Sequence, residues 1–152
     1  MATEIEHKYL VKDDSYKRLA TSRFHIVQGY LNRDPDRTVR IRLRDDKGFL
    51  TVKGRNHGDT RQEFEYEIPF ADAMAMISLC EGGVIDKTRW IVPYGGMTWE
   101  VDEFHGLLAD ITVAEIELHE STRDYPVPDF IGKEVTGDPS YYNSHLTLRA
   151  ET

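Results

Sequence analysis

Val39-Arg40-Ile41-Arg42-Leu43-Arg44-Asp45-Asp46-Lys47-Gly48 alternates apolar with cationic side chains for six residues and then turns. Successive side chains of an extended strand point to opposite faces, so Arg40, Arg42 and Arg44 share one face and Val39, Ile41 and Leu43 the other. Asp45-Asp46-Lys47-Gly48 is a turn signal, and the run after it, with Lys53 between Val52 and Gly54, makes an antiparallel hairpin. The same period recurs along the chain. Glu4, Glu6 and Lys8 oppose Ile5, His7 and Tyr9. Arg61, Glu63, Glu65 and Glu67 oppose Phe64, Tyr66 and Ile68. Lys87 and Arg89 alternate with Thr88 and Trp90, Glu100 and Asp102 with Trp99 and Val101, and Glu115 and Glu117 with Ala114, Ile116 and Leu118.

Strands are therefore expected near 3–11, 25–33, 38–45, 48–54, 61–69, 86–93, 97–105 and 111–119, with a second hairpin turn at Tyr94-Gly95-Gly96-Met97. Eight antiparallel strands suffice to close a small barrel, an α+β fold that is mainly β with flanking helices. Helices are expected over 14–22 after the caps Asp13-Asp14, and over 70–81, where Phe70, Met74 and Ile77 share a face near Cys80 and Gly82-Gly83 is the stop. A third starts at Asp138-Pro139 and runs through Tyr141 to Leu148.

Ordinary antiparallel strands put charge outward. Two features oppose that here. Like-charged doublets two apart recur at 4/6, 63/65, 115/117, 100/102, 40/42 and 87/89, and such pairs gain little on a free surface. Acidic and basic strands also both occur in number. Wrapped with charges inward they line a wet tunnel, whose carboxylates suit hard divalent cations and whose Arg and Lys suit phosphate oxygens. A polyphosphate bridged by Mg²⁺ or Mn²⁺ needs such a two-sided lining. The inversion turns Phe64, Tyr66, Trp90, Trp99 and Ile116 outward; helices cover part of that face, and the remainder points to a homodimer.

The 152 residues fit a single domain, 1–152. A net charge of −8 weighs against a nucleic-acid partner. No run approaches a membrane span, the N-terminus lacks a signal peptide's apolar segment, and the lone Cys80 cannot form an internal disulfide, so a cytoplasmic protein is expected. The histidines at 7, 25, 57, 105, 119 and 145 form no zinc-binding spacing, and there is no Walker-type loop. His7 is expected on the outward face as a packed or surface imidazole, Cys80 as a core residue, and Arg44 as solvated near the rim.

Glu4-Ile5-Glu6-His7-Lys8 resembles the Glu-x-Glu-x-Lys signature of the CYTH superfamily, the triphosphate tunnel metalloenzymes. The likeness continues in order through Arg40-x-Arg42, Thr51-Val52-Lys53, Arg61-x-Glu63-x-Glu65, Lys87-x-Arg89, Glu100-x-Asp102, Ala114-Glu115-Ile116-Glu117-Leu118 and Gly132-Lys133-Glu134-Val135-Thr136. The resemblance, to a short bacterial-type tripolyphosphatase-like member, implies an eight-stranded tunnel, two divalent metal sites and a small-molecule triphosphate as substrate. It implies phosphate ligands at Lys8, Arg40, Arg42, Lys53, Lys87 and Arg89, with Arg61 equally suited to a structural salt bridge. It implies metal ligands at Glu4, Glu6, Glu115 and Glu117, with Glu63, Glu65, Glu100 and Asp102 as further candidates, and gives Glu134 no clear role. Glu4, Glu6, Lys8 and Lys87 are the residues on which turnover is expected to depend. The reaction implied is attack by water on a terminal phosphorus, with inorganic triphosphate the first choice of substrate. The same signature occurs in class IV adenylate cyclases and thiamine triphosphatases, and a non-catalytic polyphosphate-binding module is the alternative outside enzymes.

Overall fold

The computed structural model describes residues 3–150. Nine strands form one antiparallel sheet: β1 (Thr3–Val11), β2 (Ser22–Asn32), β3 (Arg37–Arg44), β4 (Lys47–Gly54), β5 (Thr60–Ile68), β6 (Glu81–Tyr94), β7 (Met97–Phe104), β8 (Thr112–Glu117) and β9 (Ile131–Glu134). Their order is β5-β4-β3-β2-β6-β7-β8-β1-β9, and pairing of β5 with β1 closes the first eight into a barrel. Closure leaves no free edge on that ring. β1 uses one edge twice: Thr3, Glu4 and Ile5 pair with Gln62, Arg61 and Thr60 of β5, and farther along Tyr9 and Val11 pair with β9.

All eight expected strands exist, within a few residues of their expected ends. The short β9 was signalled by the Gly132–Thr136 motif but not expected as a strand. The largest difference is β6, which begins at Glu81 rather than near 86. Gly82 and Gly83 do not stop a helix; they lie inside β6 at a register shift opposite β2, where Gly82 takes φ +72°. The bulge inserts extra residues into one strand, and glycine supplies the left-handed backbone it needs.

Three helices flank the barrel, all shorter than expected: α1 (Tyr16–Leu19), α2 (Phe70–Ile77) and α3 (Asn143–Ala150). α2 packs on β3 and β4, its Ala73 so close to Gly48 that a Cβ there would come within 2.5 Å of the Ala73 Cβ. The expected C-terminal helix is split. Asp138 caps a 3-10 turn at Pro139–Tyr141 through Ser140, and extended backbone at Tyr142 separates it from α3.

Trp99 and Ile116 point outward, as expected, yet both are fully buried. This chain covers them itself, and not mainly with helices: Tyr125, Phe130 and Ile131 of the stretch after β8, with Tyr16 of α1, pack onto Val92, Trp99, Val101 and Ile116. The outward face that stays open is on β5, where Phe64 and Tyr66 are 39% and 62% exposed. A second cluster lies inside the ring. Phe104, Val113 and Ile85 continue the lumenal faces of Asp102, Glu115 and Lys87, and Leu146 of α3 packs among them. The lumen is thus charged along its middle and dry where α3 meets β6.

Candidate active site

The cross-strand register turns β-periodicity into a lining. Tyr30 faces Arg40, Gln28 faces Arg42, Arg40 faces Thr51, and Thr51 faces Glu65. Across the barrel Lys8 faces Glu115, Glu6 faces Glu117, and Glu100 faces Glu115. Glu4, Glu6, Lys8, Arg40, Arg42, Lys53, Arg61, Glu63, Glu65, Arg89, Glu100, Glu115 and Glu117 all line one cavity of about 220 Å³. That is below the roughly 300–1,000 Å³ typical of pockets for drug-sized organic ligands. Lys87 and Asp102 do not line it: they are fully buried behind Arg89. Arg44 reaches the lining rather than solvent alone, stacked over Phe24 and Phe49 at 5.1 and 5.0 Å.

Carboxylates directly opposite one another in a ladder repel, and this barrel sets Glu6 against Glu117 and Glu100 against Glu115. Burial, with Glu115 and Glu4 beside it, raises the Glu6 carboxyl well above its ordinary range. Burial, Glu4, Glu63 and Glu100 raise Glu117. Glu115 is also buried, but the Lys8 and Arg89 cations hold it well below the ordinary range, Lys8 Nζ lying 3.5 Å from its Oε1. Burial opposes ionisation of Glu4 too; Lys53 outweighs it and keeps the carboxyl low. The Lys53 ammonium bridges Glu4 and Glu63 at 3.1 and 3.2 Å. Among the described residues, no three His, Cys, Asp or Glu side chains are already gathered as a metal cage.

The basic wall has the opposite imbalance. Arg89 donates to both Asp102 oxygens at 2.8 and 2.9 Å, and Lys87 Nζ donates to the same carboxylate at 2.7 Å. Asp102 is buried, yet those cations hold it down to about 2. Arg40 reaches Glu65 at 3.2 Å, while its buried Nε has no partner among the described residues. Arg42 has a neutral partner, Gln28 Oε1 at 2.8 Å. Burial and the neighbouring Arg40 and Arg89 push its guanidinium down to about 9. Burial likewise pushes Lys87 down to about 7, against the pull of Asp102. Among the described residues Arg61 makes no salt bridge; its Nε donates to the Gly54 carbonyl at 3.2 Å.

The C-terminal residues complete the lining. Tyr141 and Asn143 accept from Lys8 and Lys87 at 3.1 and 3.2 Å, and Tyr142 Oη accepts from Asn56 at 2.9 Å. Glu134 gains a function: it takes both arms of Arg123 and the Thr136 hydroxyl, which itself accepts from the Lys8 backbone N–H. It therefore pins the edge of β1. His7 is packed on the outward side as expected, with Nε2 2.8 Å from Asp59 and Nδ1 2.7 Å from Tyr125. Gln28 and Tyr30 were missed. The signal was present, because Ile26, Gln28 and Tyr30 share a face and Gln28 is the polar residue of an otherwise apolar run.

The CYTH domain model matches residues 2–142. An inorganic triphosphatase of Acetivibrio thermocellus is 48% identical over 147 residues, covering 96% of this chain and 94% of that protein. An inorganic triphosphatase of Nitrosomonas europaea is 32% identical, covering 96% and 97%. The crystal structure of an inorganic triphosphatase superposes with a TM-score of 0.70 at 30% identity, covering 97% of this chain and 96% of that one. Closed barrel, inward charge and ordered motifs agree with these matches: the chain belongs to the CYTH domain family.

Proposed function

We propose that this chain hydrolyses inorganic triphosphate with the help of divalent cations. One observation carries the reading: a single lumen holds on one wall a buried Arg42 guanidinium paired only with the neutral Gln28, and on the other carboxylates forced against one another. Both imbalances are costly in a fold that serves only stability, and a cation-bridged polyphosphate relieves both. The names of the relatives support the same substrate.

Arg40, Arg42, Arg89 and Lys8 take phosphate oxygens, with Lys53 and Arg61 extending the track. Glu4, Glu6, Glu115 and Glu117 hold the cations, joined by Glu63 and Glu100; oxygen donors of this kind fit Mg²⁺ or Mn²⁺, at two sites. A metal held there would supply charge neutralisation on the phosphates and a lowered pKa for the attacking water. Lys53 bridges Glu4 and Glu63, so a cation held by Glu4 would leave that ammonium to the substrate. Three assignments differ from those the resemblance implies. Glu65 and Asp102 already accept from Arg40, Arg89 and Lys87, so they orient cations rather than bind metal. Lys87 acts through Asp102 and does not reach the phosphates. Catalysis is then positioning and electrostatics, with guanidinium groups stabilising charge on the non-transferred oxygens. The protein works in the cytoplasm, a reading supported by a lone cysteine that needs no oxidising compartment.

Orthophosphate release from tripolyphosphate, ATP and thiamine triphosphate, with Mg²⁺ and Mn²⁺ in turn, tests this. Cation-dependent turnover of tripolyphosphate above the other two is expected. No release from tripolyphosphate, or cyclic AMP and pyrophosphate from ATP, would overturn it.

A further inference from the structure

Outside the lumen, where the β2–β3 and β4–β5 connections meet α3, lies a second cavity of about 520 Å³. That is room for an organic molecule, which the lumen lacks. Pro35, Pro139 and Leu148 give it an apolar side, with Tyr142 beside them. Arg33, Arg55, Arg61 and His145 line it too, and among the described residues no Asp or Glu does. Arg55 is satisfied by Asp36. Arg33 and Arg61 have neutral partners: Arg33 Nη1 donates to the Thr147 hydroxyl at 3.1 Å and Arg61 Nε to the Gly54 carbonyl at 3.2 Å. A guanidinium carries five N–H donors, so most of both groups remains for a ligand. A polyphosphate has no use for proline and leucine surfaces, and an apolar ligand has none for two guanidinium groups without an anion. A flat ring bearing one phosphate, the chemistry of a nucleoside monophosphate, uses both. Ser144 and His145 add polar groups for its sugar. Thr38, Arg61 and Tyr142 line both cavities, so an occupant here stands at the mouth of the lumen.

We propose that this second cavity is a regulatory site for a nucleoside monophosphate, whose phosphate rests on Arg33 and Arg61 and whose presence bars the lumen to tripolyphosphate. The inhibition rests on the triphosphatase reading above; the binding does not. Because both ligands draw on Arg61, each weakens the other's affinity by the same factor.

Binding of adenosine 5′-monophosphate (AMP) is measured by calorimetry in EDTA, beside adenosine, which lacks the anion, and ribose 5-phosphate, which lacks the ring. AMP should bind at least about 10-fold more tightly than either. Two variants separate this cavity from the lumen, since neither residue lines the latter. Arg33→Gln removes a partner of the phosphate, and Leu148→Glu, at a position 45% exposed, sets a carboxylate against it. A charge-assisted hydrogen bond is worth roughly 10- to 100-fold in affinity. The AMP dissociation constant should therefore rise by about 10-fold or more in each variant that circular dichroism shows folded, with tripolyphosphate turnover retained. In wild type with Mg²⁺, AMP should raise the tripolyphosphate KM and leave kcat unchanged, and both variants should lose that inhibition. The proposal is overturned by no AMP binding, by either fragment binding as tightly as AMP, by binding that leaves KM unmoved, or by a folded variant within about twofold of wild type. If AMP binds as described and wild type hydrolyses no tripolyphosphate, the cavity assignment stands and the triphosphatase reading alone fails.

Discussion

Asp102→Asn is the most telling substitution. The side chain keeps its shape and loses its charge, and the site around it has no slack. Asp102 and Lys87 are both fully buried, and the Asp102 carboxylate takes one bond from Lys87 and two from Arg89, at 2.7, 2.8 and 2.9 Å. Removing one partner from a buried ion pair costs about 3–5 kcal/mol, because the other charge is left uncompensated. Two effects soften that here. The amide oxygen still accepts one bond, and Lys87, already pushed down to about 7 by burial, sheds its proton more readily. The lower end, about 3 kcal/mol, is expected, or a melting midpoint lowered by roughly 6–12 °C for a chain of this size. Lys87 has a folded-state pKa below its unfolded value of about 10.4. Its burial therefore destabilises most at low pH, and the cost is relieved as pH rises through the folded value. Asn at 102 lowers that value further, so the deficit against wild type should be larger at pH 6 than at pH 8. Urea unfolding followed by circular dichroism in EDTA reads all of this. Adding Lys87→Met to D102N should restore stability. A D102N midpoint within about 2 °C of wild type at pH 7, or a double variant no more stable than the single, would refute the reasoning.

Glu4→Gln should cut tripolyphosphate turnover by more than about 100-fold with the fold retained, checked by orthophosphate release beside circular dichroism at a temperature where both proteins are folded; near-normal turnover would remove Glu4 from the cation site. Leu146→Ala should cost about 2–5 kcal/mol in urea unfolding, because Leu146 of α3 packs among Ile85, Phe104 and Val113 inside the ring. Asp59→Asn tests the clasp behind β1. Hydrogen bonds from Ser121 and His7 hold the Asp59 carboxyl down to about 2, so its stabilisation is present above the ordinary carboxylate value of about 3.9 and is lost as pH falls through about 2. The stability gap between wild type and D59N should therefore close on acidification from pH 5 to pH 2, as read from urea midpoints across that range.

Much of this molecule is legible in its sequence because a strand's side-chain period is two and does not depend on distant context. Arg40-x-Arg42 and Glu115-x-Glu117 announce a charged face, and only a closed lumen makes sense of faces of both signs. What periodicity does not report is depth. Lys87 and Arg89 read alike, yet one lies behind the lining and the other on it, because strand tilt carries the residues past the charged layer at different levels. Asp102 likewise matches a ligand pattern and turns out to be saturated by cations. Gly82-Gly83 imitates a helix stop, since a bulge and a cap need the same left-handed backbone. Gln28 and Tyr30 have no like-charged doublet to mark them, only a polar residue on one face of an otherwise apolar run. The stretch 119–131 was hidden because its covering of Trp99 is decided by tertiary contact and not by local pattern.

The ring closes through three registered pairs, Thr3, Glu4 and Ile5 against Gln62, Arg61 and Thr60, against five or more at every other join. A hoop yields first at its shortest weld. Local breathing of this barrel is therefore concentrated beside Glu4 and Arg61, and amide hydrogens there should exchange before those of β2 or β6. Whatever binds Glu4 together with the β8 carboxylates acts as a rivet next to that weld, so filling the cavity and tightening the hoop are one event.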